Sequence, residues 1–348
     1  IYGIYRDPRQ GMLWIASDGQ GAVIYAKKYA IATNLMLNRI STELSRQVRS
    51  VMTDKYGGLW FGTKGDGLIH VPEYQDDLTS SASKAIVYAP GKRVKASSYV
   101  KWDEEFHVYK LEQSRYMDGF WIGAGNPGLF YYSFKDDALH PVENPSGQPA
   151  IDVHDIYEEN DTTLYVVTAG VGFYKMILEK KAGYVRIKEQ KRYHFFYEQK
   201  EIAMFFPMLA EGDSLLWLGS RERGLVRFDK RTEEYRVISL KEMLHRSVDD
   251  ILSLHRDHEG KMYVGTTSGL VCLSFEGKQM KATYIGREQG LLNDMIHGVL
   301  EDGNDFLWLG TNRGLIKYNP SNGASHDYYY SAGVQIGDCL LYTSPSPR

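Results

Sequence analysis

A repeated phrase is the feature of this sequence that most restricts its fold. An aromatic residue inside a short apolar run recurs seven times, and successive copies are 46, 61, 44, 52, 46 and 45 residues apart. The aromatic anchors are Trp14, Trp60, Trp121, Tyr165, Trp217, Tyr263 and Trp308. A recurring period of this length is typical of architectures in which each copy is one supersecondary unit.

A glycine follows every anchor after six or seven residues and precedes an apolar pair such as Leu68-Ile69. These glycines are Gly21, Gly67, Gly128, Gly172, Gly224, Gly269 and Gly314. Glycine tolerates positive φ because it has no Cβ, so the pattern predicts a tight hairpin between the second and third strands of each copy.

Each copy divides into four short runs rich in β-branched and aromatic residues, separated by Gly, Asn, Asp and Ser. In the seventh copy these runs are 296–302, 306–311, 314–320 and 326–330. This is the pattern of strands and hairpins. A four-stranded meander of this size buries both faces only when neighbours pack around an axis, which predicts an all-β protein, a β-propeller of four-stranded antiparallel blades.

Seven copies predict one seven-bladed ring over residues 1–330. The alternative that the seven copies are divided between two propellers stays open. The aromatic anchors are expected to fill the space between blades rather than to contact a ligand. Residues 331–348 lack the pattern and are interpreted as the start of a further truncated repeat with a non-native end.

Composition excludes several classes of function for this chain. The 348 residues carry 41 basic and 44 acidic side chains, a formal charge of −3, and therefore no electrostatic footprint for nucleic acid or anionic lipid. No apolar run is long enough for a membrane helix, and two cysteines provide neither a disulfide framework nor metal-ligand spacing. The chain starts at Ile1 without a leader, so its start carries no information on targeting.

The interval between Trp60 and Trp121 is longer than the others. It contains the polar stretch "QDDLTSSASKAIVYAPGKRVKASS" at 75–98. A polar stretch rich in Ser and Lys between two copies predicts a loop insertion on one rim of the ring.

Three phrases carry a resemblance to a known family: "DKYGGLWFGTKGDGLIHV", "DGNDFLWLGTNRGLIKYNP" and "IGREQGLLNDMIHGVLED". They resemble two-component regulator propeller repeats, which form the periplasmic sensor region of hybrid two-component systems in Bacteroidetes. The resemblance implies a sensor fragment that binds an oligosaccharide. It further implies signalling to a histidine kinase beyond an immunoglobulin-like domain, both absent from this chain, and a possible homodimer.

No linear motif indicates catalysis, so no catalytic residue, metal ligand or cofactor is assigned. The segment "HRDHEG" at 255–260 imitates a kinase catalytic loop, but the other kinase motifs are missing. His255, Asp257 and His258 suggest a metal cluster, but a turn between the first two strands explains them better. Asp54 is likewise interpreted as a turn aspartate that bonds its own backbone.

A blade that runs outward from the axis places the turns between its second and third strands on one face of the ring. Polar side chains in these turns are therefore candidates for binding sugar hydroxyls, or a carboxylate or sulfate. The candidates are Lys64, Asp66, Asn126, Arg221, Arg223, Asn312 and Arg313. Two other classes of function stay open: a propeller glycoside hydrolase or polysaccharide lyase, and a protein-interaction scaffold.

Overall fold

The structure is a computed structural model. It describes residues 1–328 apart from 7–12, 19–20, 27–28, 36, 38–39, 45–46, 73–82, 145–149, 182–183, 222, 278 and 292, and it does not describe the side chains of 24–35. The tail predicted at 331–348 lies outside the described residues. The prediction that the propeller domain spans 1–330 therefore stays a prediction at its end.

In the described part of the chain, seven antiparallel sheets of four or five strands form the blades, one sheet to a blade. Blades 1 to 3 contain β1 (Gly3–Arg6), β2 (Leu13–Ser17), β3 (Gly21–Ala26), β4 (Tyr29–Leu35), β5 (Val48–Thr53), β6 (Leu59–Thr63), β7 (Leu68–Val71), β8 (Ile86–Ala89), β9 (Lys92–Lys95), β10 (Val108–Gln113), β11 (Gly119–Ala124), β12 (Leu129–Ser133) and β13 (Ala138–Pro141). Blades 4 and 5 contain β14 (Val153–Asn160), β15 (Thr163–Thr168), β16 (Phe173–Lys181), β17 (Tyr184–Tyr193), β20 (Phe205–Glu211), β21 (Leu215–Ser220), β22 (Leu225–Asp229) and β23 (Tyr235–Ile238). Blades 6 and 7 contain β24 (Ile251–Arg256), β25 (Met262–Thr266), β26 (Gly269–Glu276), β27 (Gln279–Ile285), β28 (Ile296–Glu301), β29 (Leu307–Thr311), β30 (Gly314–Tyr318) and β31 (Ser325–Tyr328).

The first strands of the seven blades form the innermost ring. Each contacts the first strand of the next blade, and β1 contacts both β5 and β28, which closes the circle. The predicted all-β propeller of seven four-stranded units is confirmed.

The connections between blades carry the remaining regular structure. A small hairpin, β18 (Phe195–Tyr197) with β19 (Lys200–Ile202), follows blade 4, and the helix α1 (Leu240–Leu244) follows blade 5. Helix α1 begins where the Ser239 hydroxyl accepts a hydrogen bond from the Glu242 amide. Short 3₁₀ turns occupy Ala96–Ser98 and Arg287–Gln289.

The predicted loop insertion is wrong for its second half. Residues 86–95 form β8 and β9, so blade 2 has a fifth, outermost strand. Lys92, Arg93 and Lys95 are exposed on β9. Charged side chains are common on edge strands because they discourage further pairing. Here they led to the prediction of a polar loop where the chain forms a strand.

The aromatic anchors lie between the blades, as predicted. All seven are at most 2% exposed. Trp60, for example, stacks on His70 with ring centroids 3.8 Å apart and contacts Tyr132 and Phe120 of blade 3 at 4.6 and 4.9 Å. The anchors therefore join adjacent sheets and are not available to a ligand.

In two blades, a turn aspartate six residues before the anchor accepts a hydrogen bond from the anchor's indole. Asp302 Oδ1 accepts hydrogen bonds from the Asn304 and Phe306 amides, while its Oδ2 accepts one from Trp308 Nε1 at 2.9 Å. Asp54 and Trp60 repeat the arrangement at 2.6 Å. The turn interpretation of Asp54 is therefore confirmed, and the carboxylate also fixes the indole.

We expect Asp302 to make stability depend on pH. Partial burial raises the pKa of Asp302, but the hydrogen bonds from Trp308 and from the Asn304 and Phe306 amides outweigh it and hold the pKa below its usual value. The stabilisation is therefore complete above the unfolded pKa of about 3.9 and is lost as pH falls through the lower folded pKa. Asp302→Asn should cost about 2 kcal/mol at neutral pH and lose this part of the pH dependence.

The measurement is urea unfolding between neutral pH and about pH 3, with the wild type and Asp302→Asn compared at each pH. The difference in unfolding free energy between the two proteins should shrink as pH falls. A difference that stays constant across the series would contradict the assigned role of the carboxylate.

Positive φ is confirmed for the repeated glycine in six copies, at φ angles between 74° and 125°, whereas Gly128 lacks it. Gly67 combines φ 79° with a close approach, since an added Cβ would lie 2.3 Å from the Tyr88 carbonyl oxygen. Gly91 has φ 68° but nothing within 4 Å of an added Cβ.

Gly67→Ala should therefore cost about 3 kcal/mol or more, and Gly91→Ala about 1 kcal/mol, because only the first adds a steric clash to the unfavourable backbone conformation. Guanidinium unfolding of both variants measures the two costs. Equal losses would show that the approach of Tyr88 does not restrict this turn.

Candidate ligand-binding site at the channel mouth

The innermost strands share an irregularity at the end where each begins. In six of the seven, the pairing register shifts after the first residue, for example between Val108 and Lys110 and between Val153 and Asp155. Such a β-bulge leaves one residue unpaired and redirects its side chain. The residues inside these shifts include Arg49, Tyr109, His154, Phe206, Leu252 and His297, and Tyr2 holds the same position in blade 1.

These seven residues, which we name the mouth ring, all line one cavity in the centre of the propeller. The cavity has a volume of about 850 Å³, and the first strands of the blades form most of its wall. Its size falls within the range of small-molecule sites.

Planar side chains follow one another around half of the mouth ring. The rings of Tyr109 and His154 are nearly parallel with centroids 4.3 Å apart, and Phe206 meets His154 edge-on at 4.5 Å. The Arg221 guanidinium continues the series 5.3 Å from the Phe206 centroid and forms an ion pair with Asp250. This arc presents flat, weakly polar surfaces to the cavity.

A second arc joins blades 7, 1 and 2. The ring centroids of His297 and Tyr2 are 5.6 Å apart, and the Arg49 guanidinium lies 4.0 Å from the centroid of the Tyr2 ring, above its face. Asn312 Oδ1 is 2.6 Å from His297 Nε2, and the Tyr2 hydroxyl donates to Asp18. These contacts hold the rings in place before any ligand arrives.

Both imidazoles of the mouth ring are neutral at neutral pH. Burial lowers the pKa of His154 to about 4, and the positive charge of Arg49 acts in the same direction. Burial also lowers the pKa of His297 to about 4. A neutral imidazole donates one hydrogen bond and accepts another. His297 Nε2 donates to Asn312 Oδ1, so its Nδ1 is left to accept, for example from a ligand hydroxyl.

Deeper in the channel, one ion cluster joins three blades. Lys110 Nζ lies 2.8 Å from Asp155 and 3.3 Å from Glu112, and Asp155 Oδ2 also accepts the Met208 amide at 2.9 Å. Burial alone would lower the pKa of Lys110, but the two carboxylates outweigh it and raise the pKa above its ordinary value. For Glu112, burial raises the pKa more than Lys110 lowers it.

The opposite side of the channel has small residues at the register position of Lys110. They are Gly3, Ser50, Ser253 and Gly298, in blades 1, 2, 6 and 7. The room in the cavity is therefore concentrated beneath the second arc, on the side of Arg49, Tyr2 and His297.

The turn residues predicted from the sequence lie at different distances from this cavity. Only Arg221 lines it, and Asn312 reaches it through His297. Asp66 is buried and accepts a hydrogen bond from Tyr99 at 2.8 Å, Arg223 is half-buried, and Lys64, Asn126 and Arg313 are exposed. Their role in binding stays a prediction.

Sequence reasoning missed the mouth ring, although the sequence holds a signal for it: a variable residue directly after the first apolar residue of each innermost strand.

The HRDHEG segment forms the turn predicted for it, since the Asp257 carboxylate accepts the Lys261 amide. Next to it, His258, Glu301 and Asp305 have potential ligand atoms within 4.8 Å of one another. Glu301 accepts both the amide and the imidazole of His258 from the preceding blade. Glu158 accepts the Arg115 amide across blades 3 and 4 in the same way, so we assign Glu301 to a blade-to-blade contact.

The fold and the cavity define a seven-bladed propeller with a ligand-sized central channel. Residues 42–65 and 290–313 match the model of the two-component regulator propeller, which agrees with the resemblance seen in the sequence. In the part of the chain that the structure describes, no helix is long and apolar enough to cross a membrane.

Similar proteins carry the same association with two-component systems. Histidine kinase P4 of Formosa agariphila is 23% identical over 298 residues, which are 82% of this chain and 20% of the kinase. The extracellular domains of the Bacteroides thetaiotaomicron hybrid two-component systems BT3049 and BT4673 are 19% and 18% identical, with TM-scores of 0.57 and 0.62. The matches cover 97% and 90% of this chain but 47% and 37% of those domains, so the chain spans less than half the length of each relative.

Proposed function

We propose that this chain is part of the extracytoplasmic sensor of a hybrid two-component regulator and that it binds an oligosaccharide at the mouth ring. The observation that carries the proposal is the ring of pre-positioned planar side chains around an 850 Å³ cavity. Aromatic and imidazole rings offer both stacking surfaces and hydrogen-bonding edges, the two contacts that a sugar ring with its hydroxyls needs.

The similarity to extracellular domains of hybrid two-component systems and to a histidine kinase supports the signalling part of the proposal. The signal would pass to a kinase region outside this chain. For that, the oligosaccharide must bind one arrangement of the propeller and its partner domain more tightly than the other, because equal affinity shifts no equilibrium.

Replacing one aromatic residue of the mouth ring tests the proposal. A panel of defined oligosaccharides is screened by thermal shift and calorimetry, and the binders are titrated against Tyr109→Ala. Loss of a stacking ring should weaken binding about tenfold. The matched control is Tyr184→Ala, a tyrosine 44% exposed on the outer strand β17, which should bind as the wild type does. Equal affinities of Tyr109→Ala and wild type for a true ligand would place the site elsewhere.

A polysaccharide lyase is the second candidate, because the mouth ring brings together Tyr, His and Arg side chains from different blades. A glycoside hydrolase is less favoured, since it needs two carboxylates beside one bond. Among the described residues that line the cavity, Glu112 and Asp155 both pair with Lys110, and Asp54 is bonded to its turn and to Trp60. Release of reducing or unsaturated ends in the same wells would overturn the purely sensory function.

A further inference from the structure

Among the described residues, one cation of the cavity wall has no carboxylate partner. Four cationic side chains are found among the described lining residues: Arg49, Lys55, Lys110 and Arg221. Lys55 pairs with Asp118, Lys110 with Asp155, and Arg221 with Asp250. The guanidinium of Arg49 has no ion pair or hydrogen bond with a described residue, and its Nε is buried without a hydrogen-bond partner.

The carboxylates that line the same wall have other partners. Asp54 accepts hydrogen bonds from its own turn and from Trp60, while Glu112 and Asp155 both pair with Lys110. A guanidinium whose Nε is withdrawn from water lacks hydrogen bonds that the solvent would otherwise supply. An anionic group in the cavity would restore them.

The orientation of Arg49 suits such a partner. The bulge in β5 redirects its side chain, and the Tyr2 ring 4.0 Å away fixes the plane of the guanidinium by its face. A guanidinium held by its face keeps its N–H edge for other partners, and that edge matches the two oxygens of a carboxylate or sulfate. Small residues at the next register position, Ser50 and Gly3, leave space beneath it.

The two imidazoles near Arg49 carry no charge at neutral pH. Burial lowers the pKa of both His154 and His297, and the charge of Arg49 adds to the effect, so both rings can take part in hydrogen bonds without adding charge. Tyr109 and Phe206 complete the ring. A single cation framed by stacking surfaces recognises one negative group on an otherwise uncharged ring system.

We propose that Arg49 is an anion-binding position of the mouth ring and that the ligand is an acidic oligosaccharide bearing a sulfate or carboxylate group. The oligosaccharide part rests on the proposed function above. The anion-binding part rests on Arg49 and its surroundings alone.

Paired probes separate the charge from the sugar. A sulfated carrageenan tetrasaccharide is compared with its desulfated form, and tetragalacturonate with its methyl ester, by calorimetry. Arg49→Met, whose unbranched chain can still cover Tyr2, should weaken binding of the charged member about tenfold to a hundredfold and leave binding of the neutral member unchanged. Whichever pair responds identifies the anion as sulfate or carboxylate.

The control variant is Arg236→Met, which removes an exposed arginine from the outermost strand β23, outside the cavity lining, and should leave all affinities unchanged. Arg49→Lys should give an intermediate loss, because it keeps the charge but not the two-pronged contact. It also replaces Arg49→Met as the test if that variant fails to fold.

The outcomes distinguish the two proposals. If neutral sugars bind and Arg49→Met binds every probe as tightly as the wild type, the anion-binding position is overturned and the sensor function stands. Sodium sulfate at ionic strength matched with sodium chloride provides the other arm. If no sugar binds but sulfate raises the melting temperature of the wild type and not of Arg49→Met, the oligosaccharide is overturned and the anion-binding position stands. Failure of both arms overturns both.

Discussion

Trp60→Ala should lower the unfolding free energy of the propeller by about 3–5 kcal/mol. Trp60 is fully buried between blades 2 and 3, where it stacks on His70 and contacts Tyr132. Its removal leaves a cavity between two sheets that the rigid strands cannot close, and it leaves the buried carboxylate of Asp54 without its indole partner. Guanidinium unfolding followed by tryptophan fluorescence and circular dichroism measures the loss.

The control for this prediction is Tyr56→Ala, in the same turn. Tyr56 is 63% exposed, so its removal should cost about 1 kcal/mol or less. Similar losses for the two variants would contradict the conclusion that the aromatic anchors hold the blades together.

Asp155→Ala should lower the unfolding free energy by about 3 kcal/mol. Asp155 accepts hydrogen bonds from Lys110 in blade 3 and from the Met208 amide in blade 5, so it joins three blades at the channel wall. Its loss leaves the Lys110 ammonium with Glu112 alone. The Lys110 side chain is 30% exposed to the channel, and water there limits the cost.

A double-mutant cycle tests whether the damage comes from the stranded charge. The cycle combines Lys110→Met with Asp155→Ala, and the double variant should lose less stability than the sum of the two single losses, because each single change leaves a partner charge that the double variant lacks. Glu112 loses its cation in Lys110→Met and in the double variant alike, so its contribution cancels in the cycle. If the double variant instead loses the sum of the two single losses, Lys110 and Asp155 act independently and the account of the cluster is wrong.

Much of this fold was predictable from local sequence. The aromatic anchor, the following glycine and the apolar pair repeat with the blade, so the number of blades could be counted along the chain. The anchors were correctly predicted to be core residues because only burial between sheets explains a tryptophan in an apolar run. The fifth strand β9 was missed because its charged residues suit an exposed edge and conceal the alternation of a strand.

The candidate site was predictable to a smaller degree. Turns between second and third strands lie on the same face as the channel mouth, but most of their side chains lie outside the cavity lining, and of those predicted only Arg221 lines it. The mouth ring depends on bulges in the innermost strands, and a bulge is a property of strand pairing that a single run of residues does not reveal. The missing partner of Arg49 is a long-range property as well, since the paired cations find carboxylates on neighbouring blades or turns.

Hydrogen–deuterium exchange of the propeller with and without a bound oligosaccharide tests the central claim most directly, because it locates binding by backbone protection. We expect protection to concentrate in peptides that contain the starts of the innermost strands, around Tyr2, Arg49, Tyr109, His154 and His297. Protection confined to outer strands such as β17 or β27, with the mouth ring unchanged, would contradict it.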